Sequence, residues 1–219
     1  MHYASFSPEI KEGKKHVACI GDSITFGYGV WGKRKEEAFP ILLEKLFDDV
    51  YQFVNYGLPG RCLLFDSTEP FIKEDYYPLS LYLKADIYLI LLGTNDGCSF
   101  NWNIEDNDEG EIFRENLRKF TSSYLALDNK PQVILMTPPD ALDADDEDQL
   151  VLLRHNLRKY IRPIIYEIGK ELNVPVIDLY EITKDKKELF DDGIHPNTLG
   201  NKVIAEHIYQ EMKKIIYTK

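Results

Sequence analysis

Three segments of the chain carry side chains able to run nucleophilic chemistry, and each follows an apolar run or opens a loop. Gly21-Asp22-Ser23-Ile24-Thr25 comes directly after His16–Ile20. It puts a serine hydroxyl where a helix would begin, near the positive end of the helix dipole. In such a Gly-rich turn a serine also serves as an ordinary helix cap. Gly93-Thr94-Asn95-Asp96-Gly97 follows the apolar run 87–92. Asn95 offers a carboxamide N–H suited to a developing oxyanion, although a turn asparagine also bonds its own backbone. Asp191-Asp192-Gly193-Ile194-His195-Pro196-Asn197 holds the one histidine that has loop-forming neighbours and a carboxylate three positions earlier. A compact turn can set Asp192 against Nδ1 of His195 and leave Nε2 free as a base. His16 opens a strand, His155 and His207 fall within helices, and His2 lies near the terminus; all four read as structural or solvated.

The elements that must position these residues are short apolar runs alternating with amphipathic stretches. Strands are expected at 16–20, 51–55, 87–92, 132–136 and 174–179, with 87–92 apolar throughout, as in a strand covered on both faces. Helices are expected at 40–49, 112–127, 148–173 and 198–216, with Pro163 kinking or restarting the third. Such alternation predicts an α/β domain with a parallel sheet between helix layers, and ligand sites at the carboxyl ends of its strands. The three segments above fall at or after those ends.

The chain has 219 residues and a formal net charge of −11, which suits one large domain and argues against nucleic acid or an anionic membrane as partner. A 44% hydrophobic and 12% aromatic content is enough to fill a core and excludes a disordered chain. Cys19, Cys62 and Cys98 form no CxxC pair, so neither a disulfide framework nor a zinc site is expected. No apolar run reaches the ~18 residues of a membrane span, and the polar N-terminus has no signal-peptide core. A single domain over 14–219, an extension over 1–13, and a reducing, cytoplasmic setting are the expectations.

The motifs, taken together, resemble the blocks of the SGNH hydrolases, the GDSL esterases and lipases. Gly21-Asp22-Ser23-Ile24 matches the nucleophile block, with Ile24 where the family has leucine. Asn55-Tyr56-Gly57-Leu58-Pro59-Gly60 is similar to the second block, Gly93-Thr94-Asn95-Asp96 to the third, and Asp192-Gly193-Ile194-His195 to the fifth. They occur in family order across nearly the whole chain. The resemblance implies a flavodoxin-like three-layer α/β/α sandwich with a central five-stranded parallel sheet. It implies Ser23, Asp192 and His195 as catalytic residues and an oxyanion hole from Ser23, Gly60 and Asn95. No cofactor or metal is implied, and the expected substrate is a small-molecule ester cleaved through an acyl-enzyme.

Other motifs read less well. Gly27 to Gly32 fits G-x-G-x-x-G but lies beyond the strand end and carries Tyr28 and Trp31. Gly27 to Lys33 fits G-x-x-x-x-G-K, yet Arg34 stands where a hydroxyl must hold magnesium. The segment reads instead as a mobile loop beside Ser23, with Phe26, Tyr28 and Trp31 lining an acyl or sugar pocket or packing in the core. The acidic run Asp140 to Asp148 lacks calcium-loop spacing and reads as a solvated helix start. Short-chain or carbohydrate O-acetyl ester hydrolysis is the expected activity. A lysophospholipase, an acyl-CoA thioesterase and a non-catalytic sugar-binding module are the alternatives.

Overall fold

Successive residues of the central strands bury into opposite sides of one sheet. Ala18, Ile20, Tyr88, Ile90, Val133 and Leu135 face one core; Val17, Cys19, Leu89, Leu91, Ile134 and Met136 face the other. This two-residue alternation, with no polar face, is what a doubly covered parallel sheet requires. The computed structural model describes residues 9–48, 50–102, 108–142 and 148–217. Its sheet contains β1 (Lys15–Gly21), β2 (Tyr51–Gly57), β3 (Ile87–Leu91), β4 (Gln132–Thr137) and β5 (Val176–Asp178). They lie in the order β2-β1-β3-β4-β5, and all pairs are parallel.

Helices Phe39–Leu46 and Thr198–Tyr217 cover one face through Phe39, Leu43, Ile204, Ile208 and Met212. Helices Glu111–Leu125 and Arg162–Glu171 cover the other through Phe113, Leu117, Phe120, Ile164 and Ile168. The result is the three-layer sandwich expected. After β2 the chain crosses over β1 to lay down β3, so strand order reverses at the β1/β3 boundary. A crevice opens at such a reversal, and it lies where Ser23 and Asn95 emerge. Gly21 pairs in register with both Gly57 and Leu91, which puts three strand ends at one level.

Several elements differ from expectation for local reasons. The long third helix restarts beside Pro163, one of the two expected outcomes, without leaving the helical path. It passes through a π turn at Leu157–Ile161, with the Arg162 N–H reaching Leu157 O, and resumes as α-helix at Arg162. Proline has no N–H for the carbonyl four residues back, and a widened turn absorbs that loss. β5 is shorter than 174–179 because Asp178 caps a new helix, Leu179–Thr183, by accepting from the Glu181 N–H. Asp140 is not a solvated helix-start residue. It is buried and held bidentately by Arg154 at 2.9 and 3.1 Å. The rest of that acidic run, 143–147, lies outside the described residues. No helix among the described residues is long and apolar enough to cross a membrane.

Candidate active site

The turn that carries Ser23 is built by Asp22. Its Oδ1 accepts from the Ile24 N–H at 2.9 Å and caps a one-turn helix, Ser23–Phe26, at the end of β1. Asp22, not Ser23, is therefore the cap, which leaves the serine side chain free for another partner. That partner is His195, whose Nε2 lies 2.8 Å from Ser23 Oγ. Nδ1 of the same ring lies 2.6 Å from Asp192 Oδ2.

Asp192 also folds its own loop. Oδ1 accepts from the backbone N–H groups of Ile194 and His195 at 3.0 and 2.7 Å. Burial opposes ionisation, but these N–H bonds and the His195 ring outweigh it and draw the carboxyl down to about 2. An ionised Asp192 fixes the proton on Nδ1, so Nε2 presents its lone pair to Ser23. The line Ser23–His195–Asp192 can accept a proton from the serine hydroxyl and stabilise the resulting imidazolium.

Donors for negative charge come from two further strand ends. Asn95 opens a short 3-10 turn, Asn95–Gly97, after β3, and one N–H of its amide goes to Arg61 O at 3.1 Å. The other is free for a ligand oxygen. After β2, Leu58 to Arg61 form a turn closed by Arg61 N–H to Leu58 O at 3.3 Å. With Pro59 second and Gly60 third at φ +83°, it has the pattern of a type II turn. The two glycines flanking this turn differ in kind. A Cβ on Gly57 would meet Phe26 N at 2.2 Å, and its N–H is taken by Asn55 Oδ1 at 2.8 Å. Gly60 stands in open space and is glycine for its positive φ; its N–H has no partner among the described residues. A free backbone donor thus exists at Gly60 and not at Gly57.

The segment expected as a mobile loop is instead a run of 3-10 turns, Tyr28–Lys33. Gly29 seats it on the base loop: a Cβ there would lie 2.3 Å from Pro196 O. This contact carries the Tyr28 ring to 4.6 Å from that of His195, with Trp31 edge-on to Tyr28 at 5.6 Å. Tyr28 and Trp31 are 43% and 52% exposed and form a shelf beside the base. Phe26, grouped with them from sequence, is buried, with the Arg34 guanidinium 3.7 Å from its ring centre and Trp31 against it. It supports the shelf from below.

The sequence profile of the GDSL-like lipase/acylhydrolase family matches residues 19–203. The chain belongs to that family. Among relatives of this GDSL-family chain, an acetylxylan esterase of Xylanibacter ruminicola is 31% identical over 94% of it. The chain spans 45% of the length of that relative. A GDSL esterase/lipase of Arabidopsis thaliana is 20% identical over 92% of this chain and 80% of its own. Among solved structures, a carbohydrate acetylesterase from Sinorhizobium meliloti superposes at TM-score 0.76 and 20% identity, covering 93% of this chain and all (100%) of the other. A lipase/acylhydrolase from Enterococcus faecalis superposes at 0.69 and 28% identity, with 94% and 98% covered.

Asp96 and Asp22 went unnoticed as functional candidates in the sequence, since aspartate in a short turn reads as a local turn former. Both are fully buried. Burial pushes Asp22 up to about 6, against the N–H of Ile24, and Asp96 up to about 7, against the N–H groups of Leu63 and Leu64. The charge of Asp22 adds a smaller part to the rise at Asp96.

Proposed function

We propose that the protein is a serine carboxylic ester hydrolase that removes short acyl groups, foremost acetyl, from carbohydrate esters. The observation that carries this reading is the continuous line from Ser23 Oγ through His195 to Asp192, at 2.8 and 2.6 Å. His195 Nε2 takes the Ser23 proton as Oγ bonds to the ester carbonyl carbon. The displaced π pair becomes an oxyanion, held by the N–H groups of Ser23 and Gly60 and the free amide N–H of Asn95. As the C–O bond to the alcohol breaks, the imidazolium returns its proton to the leaving oxygen. Water, deprotonated by the same nitrogen, then releases the acid and Ser23. The exposed faces of Tyr28 and Trp31 beside His195 suit the apolar face of a sugar ring, which supports a carbohydrate as the leaving alcohol. The names of the Xylanibacter relative and the Sinorhizobium neighbour point the same way.

A fluorophosphonate should label the chain once, at Ser23, and Ser23→Ala should not label. Turnover is then compared across p-nitrophenyl esters from acetate to palmitate, acetylated xylo-oligosaccharides, lysophospholipid and acetyl-CoA. The short esters and acetylated sugars should be fastest. Dominant turnover of palmitate, lysophospholipid or the thioester would reassign the substrate. Sugar binding with neither labelling nor turnover would make the chain a binding module.

A further inference from the structure

Gly60 has a free N–H at the mouth of the site, yet nothing packs on it: no atom lies within 4 Å of where its Cβ would be. A backbone donor aims at an oxyanion only if its turn is held in place; Leu58, Leu63 and Leu64 pack into the core on either side, but Gly60 itself has no side chain to fix its direction. The turn is instead tied at both ends by hydrogen bonds. On the nucleophile side the Leu58 N–H donates to Gly21 O at 3.0 Å. On the far side the chain runs into Asp96, whose two carboxylate oxygens accept from the N–H groups of Leu63 at 3.0 Å and Leu64 at 2.7 Å. Asp96 is fully buried and reaches across more than thirty residues of sequence to make these bonds.

Asp96 is also the residue after Asn95. The same turn that presents the amide donor therefore grips the loop segment leading from the backbone donor. Asn95 adds a third tie through Arg61 O, and Asn101 Nδ2 braces the turn from below through Asn95 O at 2.9 Å. We propose that Asp96 is the positioning residue of the oxyanion hole, setting the distance between the Gly60 N–H and the Asn95 amide by clamping Leu63 and Leu64. The inference rests on the assignment of Gly60 and Asn95 as oxyanion donors. Aspartate is the side chain the task needs, because its two oxygens accept from two successive N–H groups at once. Asparagine keeps the size but turns an N–H₂ toward one of those donors, so one tie is lost and the turn drifts.

The test is the kinetics of Asp96→Asn and Asp96→Ser on an acetyl ester, with kcat expressed per fluorophosphonate-titrated Ser23 so that misfolded chains do not count. Misplacing one donor should lower kcat roughly ten- to a hundredfold while leaving KM within about twofold. Slower phosphonylation of Ser23 should run in parallel, since the phosphonyl oxygen occupies the same donors. A merely structural Asp96 would lower thermal stability but leave kcat per titrated site near wild type, and that result would overturn the proposal. Hydrogen exchange on the wild-type protein covers the case in which neither variant folds. Binding of a boronic acid transition-state analogue should slow exchange at the Leu63 and Leu64 amides, and unchanged exchange also overturns the inference. Asn95→Ala run alongside separates the two levels. If it retains full kcat, the oxyanion assignment itself fails; if it does not and the Asp96 variants remain normal, only the role of Asp96 fails.

Discussion

Ser23 Oγ and His195 Nε2 meet at 2.8 Å although 172 residues separate them. Helix Thr198–Tyr217 makes the meeting possible. Asn201 on that helix accepts from the Phe39 N–H at 3.0 Å and donates to Pro196 O at 2.6 Å, tying the base loop to the layer packed behind β1. The Ser23–His195 distance is therefore set by the packing of two helices on one face of the sheet.

The first prediction concerns the orienting carboxylate. Asp192→Asn leaves the loop nearly isosteric but no longer fixes the proton on Nδ1. It should reduce kcat by about 10⁴-fold with KM little changed. Steady-state kinetics on p-nitrophenyl acetate reads this directly, and a loss under tenfold would show that His195 is oriented by its surroundings without Asp192.

Asn95 should act on the transition state and not on substrate binding. Asn95→Ala is expected to lower kcat by about 10²–10³, or roughly 3–4 kcal/mol, at nearly constant KM. Asn95→Asp should be at least as poor, because it aims a negative charge at a developing anion. An active, well-folded Asn95→Asp enzyme would remove this residue from the donor set.

The two turn glycines should fail in different ways. Gly60→Ala meets no atom but is forced to a positive φ, which costs about 1–2 kcal/mol of stability. Gly57→Ala collides with the backbone at Phe26 and should be the more damaging by urea denaturation. Equal melting curves for the two variants would contradict this reading of the turn.

The buried carboxyls make stability depend on pH. Asp22 and Asp96 sit above their ordinary values in the fold, so between roughly pH 4 and pH 7 the folded state holds protons that the unfolded chain has released. Their contribution should grow as pH falls through that window. His207, held below its usual value by burial, works in the opposite sense, and Asp192 matters only in stronger acid. The comparison is therefore the urea midpoint of wild type against Asp22→Asn from pH 7.5 to 5. The wild type should gain more on acidification, and parallel lines would rule out the contribution of Asp22.

The sequence disclosed what depends on local spacing. The strands were legible because both faces of β1, β3 and β4 are apolar, and the dyad because Asp192 and His195 share one tight loop. The resemblance implied Gly60, but spacing alone does not set it apart from Gly57; the engaged N–H of Gly57 does. Asp96 stayed hidden because its partners, Leu63 and Leu64, lie far away in sequence and use backbone atoms, which leave no side-chain signature. The 3-10 path of Tyr28–Lys33 was hidden too, since it depends on backbone contact between Gly29 and Pro196.

His195 and Asp192 lie three residues apart on a loop that Asp192 itself folds through the N–H groups of Ile194 and His195. Half of the proposed catalytic apparatus thus shares one side chain with the fold of its own loop. Removing the Asp192 side chain would therefore release the imidazole and unfasten the loop that carries it in one stroke.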